Sequence, residues 1–281
     1  MAEGLTVSAS EPQFLDLGQG ANPRRLAYRL TGASGGDKPG LLWLSGFLSD
    51  MASTKALALA DWAEARGVAM LRFDYSGHGL SQGDFLDATI GDWLEEASAM
   101  LGLLLEKTPR AIVVGSSMGG WIALLLARKL AAEGGLRKLA GLVLIAPAWD
   151  MTRRLMWNRM SDDEKTILAC DGVFYQPSLY GDPYPITKRL IEEGRKHLMG
   201  AGPLALDLPV RILQGMRDPD VPWRHALELV ERIGADDVEL TLVKDGDHRL
   251  SREQDLRRLE AIVAALVTQV LPPSTLRHAR T

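Results

Sequence analysis

Ala111-Ile112-Val113-Val114-Gly115-Ser116-Ser117-Met118-Gly119-Gly120-Trp121-Ile122-Ala123-Leu124-Leu125-Leu126-Ala127 is the stretch that decides how this chain folds. Four apolar strand formers lead into a glycine–serine bend, and helix formers follow it. The order is strand, sharp turn, helix, with Ser117 at the bend. In that setting G-x-S-x-G is a nucleophile elbow. The bend lifts the serine hydroxyl above the sheet, and the positions two before and two after it must be small. Gly115 and Gly119 meet that demand. A helix opening at the bend aims its N-terminal amides at negative charge on a substrate oxygen. One short segment therefore offers a nucleophile and half of an oxyanion site.

The same string occurs once more, at Gly79-Leu80-Ser81-Gln82-Gly83. No strand directly precedes that copy, and Asp84-Phe85 follow it without helical periodicity. It reads as a glycine-rich loop.

Working outward, short apolar runs alternate with helical patterns. Leu41 to Leu44 and Val68 to Phe73 read as buried strands, as does Leu142 to Ile145. Lys55 to Ala65 and Ile90 to Glu106 read as helices, and the helix after the elbow runs to about Ala132. Such alternation predicts a parallel sheet covered on both faces. Phe14 to Leu17 and Leu26 to Leu30 predict antiparallel edge strands. Between Pro147 and Pro209 the alternation stops for longer than an ordinary connection allows. Ser161-Asp162-Asp163-Glu164 predicts a capping box there, and Thr187 to Met199 a further helix. Strands resume at Val210 to Leu213 and Val238 to Val243, and Ser251-Arg252-Glu253-Gln254 predicts a capped last helix. The expected domains are a core over residues 12–146, a helical cap over 147–208 and a second core segment over 209–271.

The chain has 281 residues, 46% of them apolar, and a net charge of −4. That charge gives no electrostatic case for nucleic acid or an anionic membrane surface. Cys170 is the only cysteine, so no internal disulfide forms. Met1-Ala2-Glu3-Gly4-Leu5 does not read as a secretory signal, and no apolar run approaches the roughly 20 residues of a membrane span. Together these predict a soluble, cytoplasmic protein with a frayed tail after Pro272. No cysteine or histidine cluster has metal-ligand spacing, and the elbow lacks the lysine of a phosphate-binding loop, so neither metal nor cofactor is expected.

A serine hydroxyl becomes a nucleophile when a base takes its proton, and the base is commonly a histidine held by a carboxylate. Of five histidines, only His248 follows a strand near the C-terminus in a turn-rich loop. Asp218 and Asp220 both follow the strand ending at Leu213. Asp218 is the preferred acid, and Asp220 is expected to cap the helix after Pro222. The second oxyanion amide is expected from the loop after the Leu41–Leu44 strand, where Gly46 permits close approach and Phe47 offers its N–H. Met118 supplies the first.

Taken together, Ser45-Gly46-Phe47, Arg72-Phe73-Asp74-Tyr75-Ser76-Gly77-His78-Gly79, Gly115 to Gly120, Gly215 to Pro222 and Gly246-Asp247-His248 resemble the α/β-hydrolase superfamily over nearly the whole chain. The resemblance extends to its abhydrolase thioesterase and acyl-glucuronide esterase subfamily, through Gly46-Phe47-Leu48-Ser49, Thr54 to Leu59 and Asp247-His248-Arg249. It implies a mostly parallel central sheet flanked by helices, with a small helical cap after the sixth strand. It also implies a serine hydrolase of carboxylic esters or thioesters, with Ser117, His248 and Asp218 as triad and an acyl ester or thioester as substrate. An aminopeptidase, or a cofactor-free lyase or carbon–carbon hydrolase, uses the same triad. A non-catalytic binding module on the same fold is the third reading. In the cap, Trp149, Met151 and Trp157 are candidate substrate contacts, and Tyr180 adds to its aromatic content. Arg153, Arg154 and Arg159 read as a solvated helix face, with contact to a carboxylate on an acyl-glucuronide as the alternative.

Overall fold

A computed structural model describes residues 11–18, 23–32, 36–177 and 183–271. Met1 to Leu5, Tyr180 and the tail after Pro272 lie outside them. Among the described residues eight strands form one sheet: β1 (Gln13–Leu17), β2 (Arg24–Thr31), β3 (Gly40–Leu44), β4 (Met70–Phe73), β5 (Ala111–Ser116), β6 (Leu139–Ile145), β9 (Val210–Gly215) and β10 (Val238–Val243). Their spatial order is β1-β2-β4-β3-β5-β6-β9-β10. β1 and β2 run antiparallel to their neighbours, and the other pairings are parallel. Edge strand β1 and its neighbour β2 fall where alternating hydrophobicity placed them.

The strand sequences show why the sheet is covered on both sides. Leu42 and Leu44 of β3 and Val113 of β5 pack into one core layer. Leu41 and Trp43, with Ile112 and Val114, pack into the opposite layer. A strand buried on both faces has no polar side to present, so it reads as a continuous apolar run. Helices α2 (Ile90–Leu105) and α3 (Met118–Ala132) line the first layer, and α1 (Thr54–Ala65) and α7 (Glu253–Gln269) the second. A reciprocal Thr89–Asp92 capping box starts α2.

The segment after β6 contains α4 (Asp162–Asp171) and α5 (Lys188–Gly194), and short helical turns flank them. The Ser161–Glu164 capping box forms as the sequence predicts. The segment also contains a hairpin, β7 (Val173–Gln176) with β8 (Tyr184–Thr187), where the sequence reading expected no strand. Val173-Phe174-Tyr175 is a run of strong strand formers, too short to show alternation. Two other expectations fail at helix starts. Helix α6 (Trp223–Arg232) begins after Pro222 with no side-chain cap, so Asp220 does not cap it. Helix α7 is not capped by Ser251, whose hydroxyl donates to the Arg249 carbonyl instead; Arg252 holds that end by pairing with Asp245 and Asp255.

Candidate active site

Ser117 sits between the C-terminal end of β5 and the first residue of α3, near the middle of the sheet. Its φ of 53° and ψ of −115° are strained for a residue with a side chain. The neighbours explain why this bend needs glycine. A Cβ on Gly115 would stand 2.3 Å from the Gly119 carbonyl oxygen, and one on Gly119 would stand 2.1 Å from that of Leu44. The Ser117 amide donates to the Ile145 carbonyl at 2.8 Å, which pins the bend to β6.

Loops after β9 and β10 bring the other two residues over. Ser117 Oγ lies 3.1 Å from His248 Nε2, and His248 Nδ1 lies 2.7 Å from Asp218 Oδ2. The Asp218 carboxylate is fully buried. Its Oδ1 accepts the amides of Asp220 and Val221 at 2.9 and 2.8 Å, and its Oδ2 also accepts from Gln214 Nε2 at 3.2 Å. Those donors fix the carboxylate plane, so His248 keeps its proton on Nδ1 and presents a bare Nε2 to the serine hydroxyl. Asp220 is half-buried beside this pair. Burial pushes its carboxyl pKa up, partly offset by the His248 ring. Asp218, Asp220 and His248 are also a grouping of metal-ligand type, with donor atoms within 4.8 Å of one another. Both Asp218 oxygens already accept hydrogen bonds, however, which suits an orienting acid better than a metal ligand.

The β3–α1 loop approaches the elbow through Gly46, where an added Cβ would lie 3.4 Å from Ser117 Cβ. Among the described residues, neither the Phe47 nor the Met118 amide has a hydrogen-bond acceptor within the protein. Three buried polar side chains hold that loop. His78 Nε2 accepts the Leu48 amide at 3.2 Å, and its Nδ1–H donates to the Ser76 carbonyl at 3.1 Å. Asp74 Oδ1 accepts the Met51 amide at 2.7 Å, and Arg72 donates to the Met51 carbonyl at 2.8 Å. Burial lowers the His78 pKa to about 4, so the ring stays neutral and able to accept. Glu96 on α2 accepts the Ser76 amide and hydroxyl, and burial raises its pKa to about 7. The sequence reading placed His78 in a loop without a task. The second G-x-S-x-G is indeed a loop: Ser81 Oγ donates to the Asp74 carbonyl and accepts the Ala27 amide.

Two chambers open from Ser117. One, of about 90 Å³, is lined by Ala148, Met151, Leu155, Met156 and Val221, together with Arg159, Gln176 and Asp220. The other, of about 320 Å³, lies toward the start of α1 and is polar. Phe47, Tyr184 and His248 border both. Of the candidate cap contacts, Met151 reaches the site. Trp149 is fully buried: its ring stacks on His225 at 4.6 Å and lies under Arg154, and its Nε1–H donates to the His225 carbonyl. Trp157 faces Lys165 and Arg195 instead. Of the three arginines, Arg159 reaches the smaller chamber, and Arg154 pairs with Glu228. Tyr184, which the sequence reading missed, enters on the unexpected hairpin and sets its ring edge-on to Phe47 at 6.2 Å.

With this geometry in place, the comparisons are direct. Residues 32–262 match the model of the alpha/beta hydrolase family. The chain belongs to that family. It is 34% identical over 258 residues to the bovine (Bos taurus) mitochondrial palmitoyl-protein thioesterase ABHD10, an alignment spanning 90% of this chain and 79% of that protein. Against the human protein of the same name the identity is 32%, covering 84% and 75%. Among solved structures, the chain superposes on an Agrobacterium vitis S4 protein with a TM-score of 0.87 at 47% identity, covering 92% of this chain and 98% of that one. Mouse alpha/beta hydrolase domain-containing protein 10 gives 0.79 at 30%, covering 93% and 100%. These relatives overturn one expectation. The chain was expected to be cytoplasmic, but the curated proteins it matches over most of its length are named as mitochondrial. Net charge, a single cysteine and the lack of a long apolar run do not tell one intracellular compartment from another. Among the described residues, no helix is long and apolar enough to cross a membrane.

Proposed function

We propose that this family member is a serine hydrolase of carboxylic esters or thioesters that works through an acyl-enzyme on Ser117. The observation that carries the reading is the continuous hydrogen-bonded line from Asp218 through His248 to Ser117, with its 2.7 and 3.1 Å spacings. Similarity to proteins named palmitoyl-protein thioesterase supports the ester and thioester class over amide or carbon–carbon cleavage. In the proposed reaction His248 takes the Ser117 proton as Oγ bonds to the acyl carbon. The Phe47 and Met118 amides receive the charge that develops on the carbonyl oxygen. His248 then returns the proton to the departing alcohol or thiol, and water, activated by the same ring, releases the acid.

Residues 147–208 act in this reading as the cap, and the chamber lined by Met151, Leu155 and Met156 takes the acyl chain. Methionine suits that role because its unbranched thioether adapts to different chain shapes. Assaying aryl esters and S-acyl thioesters of graded chain length, with wild-type and Ser117→Ala protein, tests the proposal. Hydrolysis that depends on Ser117 is expected. Cleavage confined to amino-acid amides would replace this reading with the aminopeptidase one.

A further inference from the structure

His248 can serve Ser117 only if its own loop is held still, and one side chain from across the site holds it. The loop runs Asp245-Gly246-Asp247-His248-Arg249-Leu250 after β10. Two residues past His248, Leu250 has a φ of 44° although it carries a side chain, and that side chain is buried. Left-handed backbone is costly for a bulky residue, so the peptide before it has to be fixed by its surroundings. That peptide is gripped at both ends. Its N–H, on Leu250, donates to Asp247 Oδ1 at 2.9 Å. Its carbonyl, on Arg249, accepts from the Ser251 hydroxyl at 3.0 Å and from Lys55 Nζ at 2.5 Å. Asp247 and Ser251 are local to the turn. Lys55 reaches it from 194 positions away, on the first turn of α1.

Helix α1 follows directly on the loop after β3, which carries the Phe47 amide. Lys55 therefore ties that side of the site to the histidine loop, beside the chamber bordered by Ser117 and His248. Packing alone does not account for a lysine here. Burial pulls its pKa down to about 8, with Asp247 opposing the shift and Arg249 adding to it, so the folded chain holds the ammonium at a cost in stability. An apolar side chain of similar length would avoid that cost. What the ammonium adds is a charge-assisted hydrogen bond, stronger than a neutral one, aimed at the carbonyl next to His248 in the chain. We propose that Lys55 is a positioning residue for His248, setting the imidazole over Ser117 by fixing the Arg249–Leu250 peptide. The inference rests on the serine-hydrolase reading of Ser117 and adds to it a residue that acts through His248 rather than on the substrate.

The test compares wild-type, Lys55→Met, Lys55→Arg and Ser117→Ala protein on a soluble, uncharged aryl ester from about pH 6 to 10, with each thermal midpoint measured near pH 7. Lys55→Met should lower kcat about tenfold, the size of one charge-assisted hydrogen bond, and change KM less than about twofold. Its midpoint should hold or rise, because a disfavoured ammonium has gone. Lys55→Arg should keep kcat within about threefold of wild type. The pH profile separates positioning from mere support. The charged and titratable groups facing Lys55 are Asp247 and Arg249 on the histidine loop, with His248 and Tyr184 at the same chamber. As pH rises through about 8 the ammonium becomes an amine that still donates, but without charge. Wild-type kcat should then step down about threefold to a plateau. Lys55→Arg stays charged and should lack the step. The step is read in unaltered protein, so it carries the test even if a variant does not fold. Unchanged kcat in Lys55→Met, a kcat loss matched by a lower midpoint, a wild-type profile without the step, or a step that persists in Lys55→Arg each overturns the inference. If Ser117→Ala is inactive, any of these leaves the serine-hydrolase reading standing. Undiminished turnover by Ser117→Ala overturns that reading and the inference with it.

Discussion

Asp218 is the residue whose local sequence best explains its role. Asp218-Pro219-Asp220-Val221-Pro222 folds back so that two amides of the same turn, from Asp220 and Val221, bind Oδ1 and leave Oδ2 for His248. An aspartate two residues later cannot use those donors, which is why Asp220 stands beside the pair rather than in the line. Asp218→Asn keeps the shape but offers an amide where His248 needs an acceptor. The wrong histidine tautomer then faces Ser117, and kcat for ester hydrolysis should fall about 10³- to 10⁴-fold with little change in KM. Steady-state kinetics on a soluble aryl ester measures it. Ser117, His248 and Asp218 were legible because each sits at the end of an apolar strand, in a loop that the strand's own pattern delimits. His78 was not, because its task, accepting the Leu48 amide, depends on the loops after neighbouring strands β3 and β4 meeting. No spacing along the chain encodes that meeting.

At the scale of elements, the elbow is specified by contacts as much as by propensity. Gly119→Ala would drive its Cβ into the Leu44 carbonyl, and neither strand nor helix can yield without losing a ladder bond or the first helical turn. A loss of roughly 3 kcal/mol or more is expected in denaturant unfolding, with activity falling in parallel. The cap element makes a different prediction. Leu155 is partly buried and lines the smaller chamber, so Leu155→Trp should shorten the acyl chain that is hydrolysed fastest while leaving short esters near wild-type rates. A graded ester series reads this directly. The β7–β8 hairpin escaped the sequence reading because each strand has four residues, too few for alternation to appear, and it pairs only with itself. Ser161 was a better signpost, since a capping box is written entirely within one turn of chain. Ser251 shows the limit of that signpost: a box-like string yields when Arg252 finds Asp245 and Asp255.

For the whole molecule, two buried neutral histidines set the response to acid. Burial lowers the pKa of both His78 and His225 to about 4, against about 6.5 for an exposed ring. Between those values the unfolded chain binds protons that the folded chain refuses. Stability from this source is fully present above about pH 6.5, is lost as pH falls toward 4, and changes no further below it. Glu96 works the other way: its pKa is raised to about 7, so its contribution falls as pH rises from about 4.5 to 7. The thermal midpoint should therefore drop steeply below about pH 6, where the two histidines outweigh one carboxyl. His78→Gln should flatten that drop, because an amide still accepts the Leu48 N–H without titrating. An unchanged slope in His78→Gln would show that His78 does not carry it. The mostly parallel sheet and its two-sided core were legible from alternating apolar runs. The two chambers were not, because the larger is assembled from residues as distant in sequence as Lys55 and Arg249.

The central claim is that hydrolysis passes through an acyl group on Ser117, and trapping that group tests it most directly. Wild-type protein mixed with excess acyl thioester and quenched in acid within milliseconds should carry one added acyl mass, mapped by peptide mass spectrometry to the segment holding Ser117. Ser117→Ala should carry none and hydrolyse the thioester at least about 10⁴-fold more slowly. Undiminished hydrolysis by Ser117→Ala, or an acyl mass on any other residue of the competent wild-type enzyme, would contradict the account.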